Sequence, residues 1–259
     1  MTRHALFGKR HQNLQNIILL TGCLLMGSVF FSALNAQTYK KNKYGLKIIE
    51  QINQYQARVA ADSSSALVPL KDYIKDLKTA FVYGTTQNFT GQLLYKNPAA
   101  YLRLPVAKAL QHAADKFRDM GYGLIIYDAY RPYSVTQRMW EVVPDNRYAA
   151  DPSHGSGHNK GICVDLSLYD LRTGEPLQMP TGFDNFTKKA HQDYMKLPEN
   201  VLQNRKLLKQ GMTASGFKAL STEWWHFSYP DPEGKFELMD LSFHQLEKAT
   251  AKSGCQAQN

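Results

Sequence analysis

The chain has 259 residues, a formal net charge of +9 and three cysteines. Its basic residues are scattered rather than gathered into one stripe, which argues against a nucleic-acid partner and leaves at most a general attraction to anionic envelope polymers. Three cysteines exclude a disulfide scaffold, although Cys163 and Cys255 leave room for one bridge.

Arg3, Lys9 and Arg10 give the chain a basic opening, and an apolar run follows from Ile17 to Leu34. The run ends in Ala33-Leu34-Asn35-Ala36-Gln37, with small residues at the place a signal peptidase would cut. Residues 1–36 are therefore expected to be a signal peptide, and the protein to be exported, periplasmic or secreted. Removing them lowers the formal charge to +6, because they carry three basic and no acidic residues. Two alternatives stand beside cleavage. One is an uncleaved anchor, for which this run is at the short limit for crossing ~30 Å of hydrocarbon. The other is lipidation of Cys23 within Leu20-Thr21-Gly22-Cys23.

Residues 37–75 are polar and mixed, and read as a leader that wraps the domain formed by 76–259. Val106, Leu110, Ala113, Phe117 and Met120 recur at helical spacing between Pro105 and Gly121, which predicts a core-packing helix. Gly123–Tyr127 reads as a buried strand, and Ser134 as the cap of a helix reaching Val142 or Val143. Ile162–Leu168 alternates as a strand, with Asp165 on the face of Cys163 and Ser167. A helix is expected from Pro198 to Gln210, closed by Gly211, a strand from Trp224 to Tyr229, and a last helix from Phe236 to Lys252. No repeat and no βαβ rhythm appear, so the expected fold is a single α+β domain.

Two segments carry chemistry: Ser156-Gly157-His158 through Asp165, and Glu223-Trp224-Trp225-His226. A catalytic zinc takes three ligands from His, Asp or Glu and leaves a fourth position for water. His158, Asp165 and His226 supply two imidazoles and a carboxylate. Asp165 is informative because it interrupts an apolar strand, where a lone buried charge is costly. Glu223 is placed to act as a base that is not a ligand. Three-residue spacing puts Glu223 and His226 on opposite faces of a regular strand, so the chain must bend or bulge between them. Arg131 follows a buried strand and offers a fixed charge to an oxyanion. His154, four residues before His158, is a rival ligand. Cys163 reads as a small hydrophobe, and Trp224 and Trp225 as core residues with a substrate platform as the alternative.

Ser156-x-His158-x6-Asp165, Glu223-x-x-His226 and the upstream Asp128-Ala129-Tyr130-Arg131-Pro132 together resemble the D-alanyl-D-alanine dipeptidase family of the VanX type, across roughly residues 83–229. The resemblance implies a hedgehog-like zinc D,D-peptidase fold, with an antiparallel central sheet flanked by helices. It implies one zinc held by His158, Asp165 and His226, with Glu223 as general base and Arg131 at the transition state. It also implies that Tyr83 and Asp184 grip the free amine and Ser156 the carboxylate of a dipeptide. The alternatives are an exported D,D-carboxypeptidase or peptidoglycan endopeptidase on the same scaffold, and a non-catalytic zinc- or wall-binding module.

Overall fold

The computed structural model describes residues 40–256, with side chains to residue 250. The expected signal segment, Cys23 and the side chain of Cys255 lie outside the described residues. Strand β1 (Ile48–Ile49), helix α1 (Ile52–Ala61), β2 (Leu67–Pro69) and β3 (Lys78–Thr79) come first. Ile49, Tyr55, Leu67 and Leu70 are buried, so residues before 76 are built into the core and the fold has no break at 75/76.

β4 (Tyr101–Arg103) pairs antiparallel with β2 and runs into helix α2 (Leu104–Asp119). Pro105 lies in the first turn of α2, where its missing N–H costs nothing, and Val106, Leu110, Ala113 and Phe117 are all buried. Met120, at the end of that expected apolar stripe, is exposed. Next come β5 (Tyr122–Asp128), α3 (Tyr133–Val142), a single helical turn α4 (Gly157–Lys160), and β6 (Cys163–Asp170). Ser134 does not cap α3. It lies inside the helix, where its N–H and hydroxyl both donate to Asp240 Oδ1, at 3.0 and 2.6 Å.

Helix α5 (Glu199–Thr213) continues past Gly211. That glycine serves packing rather than termination, since a Cβ there would lie 2.2 Å from Phe117 Cζ, at the crossing with α2. Gly→Ala inside a helix ordinarily stabilises by ~0.5–1 kcal/mol. Here Gly211→Ala is expected to destabilise by ~1–3 kcal/mol through overpacking, which urea unfolding would measure; a gain in stability would refute this account.

β7 (Lys218–Ala219), β8 (His226–Ser228), β9 (Leu238–Met239) and α6 (Phe243–Gln256) complete the chain. Two expectations change here. The strand expected from Trp224 begins at His226, because Trp224 and Trp225 sit in a bend. The last helix starts at Phe243, because Leu238–Met239 pair in parallel with Ile48–Ile49.

The central sheet has the order β3-β5-β6-β8-β7. Its pairings are antiparallel except for β3 with β5, which is parallel, so the sheet is mixed at one edge. Leu124, Ile126, Val164, Leu166, Leu168 and Phe227 join α2 and α5 residues in the main core. Each such side chain is worth ~1.5–3 kcal/mol when fully buried. The opposite face of β6 carries Cys163, buried and unpaired among the described residues, with Asp165 and Ser167. The fold class is α+β, as expected. Among the described residues no helix is long and apolar enough to cross a membrane.

Candidate active site

Asp165 on β6 is the register partner of His226 on β8. A shift between Ile126 and Asp128 makes Asp128 on β5 the partner of Asp165 on its other side. This irregularity sets Asp128, Asp165 and His226 in one row across three strands. His158 comes to that row from α4. Ser156 Oγ caps the turn by accepting from the His158 N–H, and Gly161 closes it at φ +72°, a conformation that costs glycine little. The His158 carbonyl accepts from the Arg131 N–H at 3.1 Å, which ties the turn to the end of β5.

The ligand atoms of His158, Asp165 and His226 lie within 4.8 Å of one another. His226 Nδ1 is 2.8 Å from Asp165 Oδ1 and 3.3 Å from His158 Nε2, which is 3.4 Å from Asp165 Oδ2. Tetrahedral ligands ~2.1 Å from zinc stand roughly 3.4 Å apart, so two of these three separations already suit the ion. His158 Nδ1 lies 2.7 Å from the Ala129 carbonyl. A carbonyl only accepts, so Nδ1 carries the proton and Nε2 is left with its lone pair facing the cluster.

Charge points the same way. Burial opposes ionisation of Asp165, but the neighbouring His158 and His226 outweigh it and hold the carboxyl well below the ordinary range. Burial likewise opposes the charged form of His226, and Asp165 with Cys163 outweighs it, so His226 binds a proton more tightly than an ordinary histidine. A divalent ion bound by these side chains would take the place of that proton. His154, the rival ligand, is exposed, its ring 3.0 Å from Ser153 Oγ.

One cavity of about 310 Å³ is lined by all eight expected residues: Tyr83, Arg131, Ser156, His158, Asp165, Asp184, Glu223 and His226. The bend at Trp224–Trp225 is what lets Glu223 share it with His226. Burial first, and then the Asp165 charge, push the Glu223 carboxyl up to about 7. Asp184 has φ +58°, uncommon for a residue other than glycine. Its Oδ1 accepts from the Tyr83 hydroxyl at 3.1 Å, while its Oδ2 is buried and, among the described residues, without a partner. Burial pushes this carboxyl well above its ordinary range, so a cation beside it would relieve a real cost. Ser156 also lines the cavity, and its Oγ is held by its cap on α4. Trp224 and Trp225 are both core residues, as expected; Trp225 lines the cavity as well, and the Trp224 indole donates to Thr181 Oγ1 at 2.9 Å, holding the loop before Asp184.

Tyr148 and Phe186 were not singled out from sequence, and Asp128 was quoted only within the Arg131 motif, without a role of its own. Asp128 accepts from Arg131, and its signal was an acidic residue three positions before the arginine. Tyr148 and Phe186 pack at 4.9 Å on the cavity wall from two irregular loops, which left no period to read.

Two histidines and a carboxylate converging from the sheet and from α4, beside a carboxyl poised near neutrality, define a hydrolase of the metal-assisted class. The sequence model of Peptidase M15, described as D-ala-D-ala dipeptidase, matches residues 63–245, and the chain belongs to that family. It is 35% identical over 167 residues to a D-alanyl-D-alanine dipeptidase of Escherichia coli (strain K12), covering 64% of this chain and 86% of that protein. Proteins of the same description from Streptomyces coelicolor and Enterococcus faecium are 33% and 32% identical, each over 179 residues, covering 60% of this chain and 89% of the relative.

Proposed function

We propose that the chain is a zinc-dependent dipeptidase that hydrolyses D-alanyl-D-alanine bearing a free amine and a free carboxylate, in the turnover of cell-wall peptide or its precursors. The observation that carries this reading is the single cavity that joins the three-ligand cluster, Glu223 and the unpartnered Asp184 Oδ2. At about 310 Å³ it lies at the small end of ligand pockets. That size accommodates a dipeptide.

His158, Asp165 and His226 would hold the zinc, which when bound lowers the pKa of a water to ~7 and polarises a carbonyl. Glu223 takes the proton of the attacking water and returns it to the departing amine. Arg131 sets a permanent positive charge beside the oxyanion. Asp184, with the Tyr83 hydroxyl on its other oxygen, receives the substrate ammonium through a charge-assisted hydrogen bond. The Ser156 hydroxyl donates to the terminal carboxylate.

The test is steady-state kinetics on D-Ala-D-Ala beside its N-acetyl analogue. Wild type should cleave the free dipeptide and be slow on the acylated one. Asp184→Asn should raise KM for the free dipeptide roughly tenfold or more, as loss of a charged hydrogen bond implies, and narrow the preference. Equal rates on the two substrates would favour a carboxypeptidase that accepts longer stems.

The same proposal places the enzyme outside the cytoplasm, supported by the order of basic, apolar and small residues in 1–36. N-terminal sequencing of protein from the native host should give a start near Gln37. A start at Met1 or a lipid on Cys23 would overturn the cleavage.

A further inference from the structure

Asp128 is buried and takes no part in the reaction proposed above, yet both of its oxygens are fully engaged. Oδ1 accepts from the Tyr95 hydroxyl at 2.7 Å and from the Ala129 N–H at 2.9 Å. Oδ2 accepts from Arg131 Nε at 2.9 Å and Nη2 at 2.7 Å, and lies 3.8 Å from His158 Nδ1. Two donors of one guanidinium on a single oxygen fix the edge of that group. The Tyr83 ring, 5.4 Å from the guanidinium carbon, limits its face. The Tyr95 hydroxyl also interacts with the guanidinium, so Asp128 and Tyr95 together hold a side chain that lines the cavity.

We propose that Asp128, held from behind by Tyr95, is a positioning residue that aims the Arg131 guanidinium at the reacting carbonyl. The inference rests on the assignment of Arg131 to the oxyanion. A long, flexible side chain stabilises a transition state only if its direction is set beforehand. Asp128 sets it from the sheet, because it is the register partner of Asp165 and so moves with the cluster. An asparagine has the same shape but does this less well, because it carries no charge and one of its two ends always meets a donor. With its amide nitrogen toward Arg131, donor faces donor; turned over, the nitrogen faces the Ala129 N–H.

The test is a double-mutant cycle on the zinc-loaded enzyme with D-Ala-D-Ala, with zinc content and KM measured on the same samples. Asp128→Asn should lower kcat by ~10–100-fold, the usual cost of losing an outer partner of a site, with KM and zinc content close to wild type. Arg131→Ala should lower kcat by ~10²-fold or more. The doubly substituted enzyme should be no slower than Arg131→Ala alone, because Asp128 acts through the arginine. Should Asp128→Asn fail to fold, Tyr95→Phe decides. It should lower kcat modestly in wild type and not at all in the Arg131→Ala background.

Losses that multiply in the double variant, zinc loss in Asp128→Asn, or an Asp128→Asn enzyme as fast as wild type would each overturn the positioning role. A slow Arg131→Ala enzyme beside a fast Asp128→Asn enzyme removes this inference alone. An Arg131→Ala enzyme as fast as wild type removes the oxyanion assignment, and this inference with it.

Discussion

Glu223→Gln should keep its zinc and its fold while turnover on D-Ala-D-Ala falls by at least ~10²-fold, the low end for a positioned acid–base group. Glutamine fills the same space but cannot take a proton from water or return it to the leaving amine. The substitution also has a signature independent of catalysis. In the metal-free chain Glu223 sits at about 7 against an ordinary 4.5. Between those pH values the folded chain keeps a proton that the unfolded chain has released, so stability falls as pH rises through that window. The glutamine variant lacks this dependence. Metal-free Glu223→Gln should therefore match wild type near pH 4 and exceed it above pH 7, by up to ~3 kcal/mol. Urea unfolding of chelator-treated protein at both pH values, with kinetics on zinc-loaded samples, tests both parts. A Glu223→Gln enzyme as active as wild type would end the mechanism.

His226→Ala should lose most of its zinc at neutral pH and, with it, measurable dipeptidase activity. It is one of three side chains whose ligand atoms converge, and its register partner Asp165 would be left as a buried carboxylate facing a single imidazole. Loss of a ligand should exceed the ~10–100-fold cost of losing an outer partner. His154→Ala, on an exposed ring, is the control and should bind zinc as wild type does. Metal analysis of the two proteins after dialysis against zinc-free buffer decides it. Zinc retained in His226→Ala and lost from His154→Ala would mean that the cluster described here is not the metal site.

Much of the site was legible because its residues break local patterns. Asp165 stood out as a charge in an apolar strand, and the structure puts it on the face away from the α2–α5 core. The three-residue gap from Glu223 to His226 demanded a bend, and the chain bends at Trp224–Trp225. Asp184 and Tyr83 came only from the family resemblance. The hydrogen bond between them spans 101 residues, and no local spacing encodes such a contact.

The sequence by itself determined α2, β5, β6, the α+β class and the two segments that carry His158, Asp165, Glu223 and His226. Each of these follows from a period, a cap or a motif contained within a few residues. Tertiary structure alone decided the rest. Gly211 reads locally as a helix stop, yet α5 runs through it because Phe117 needs the space. Ser134 reads as a cap, yet it takes its acceptor from Asp240, 106 residues away. Phe236 reads as the start of a helix, yet Leu238–Met239 pair with Ile48–Ile49 and delay it to Phe243. In each case a contact distant in the chain outweighs a local preference worth ~1 kcal/mol or less, and such contacts exist only once the sheet has brought the segments together.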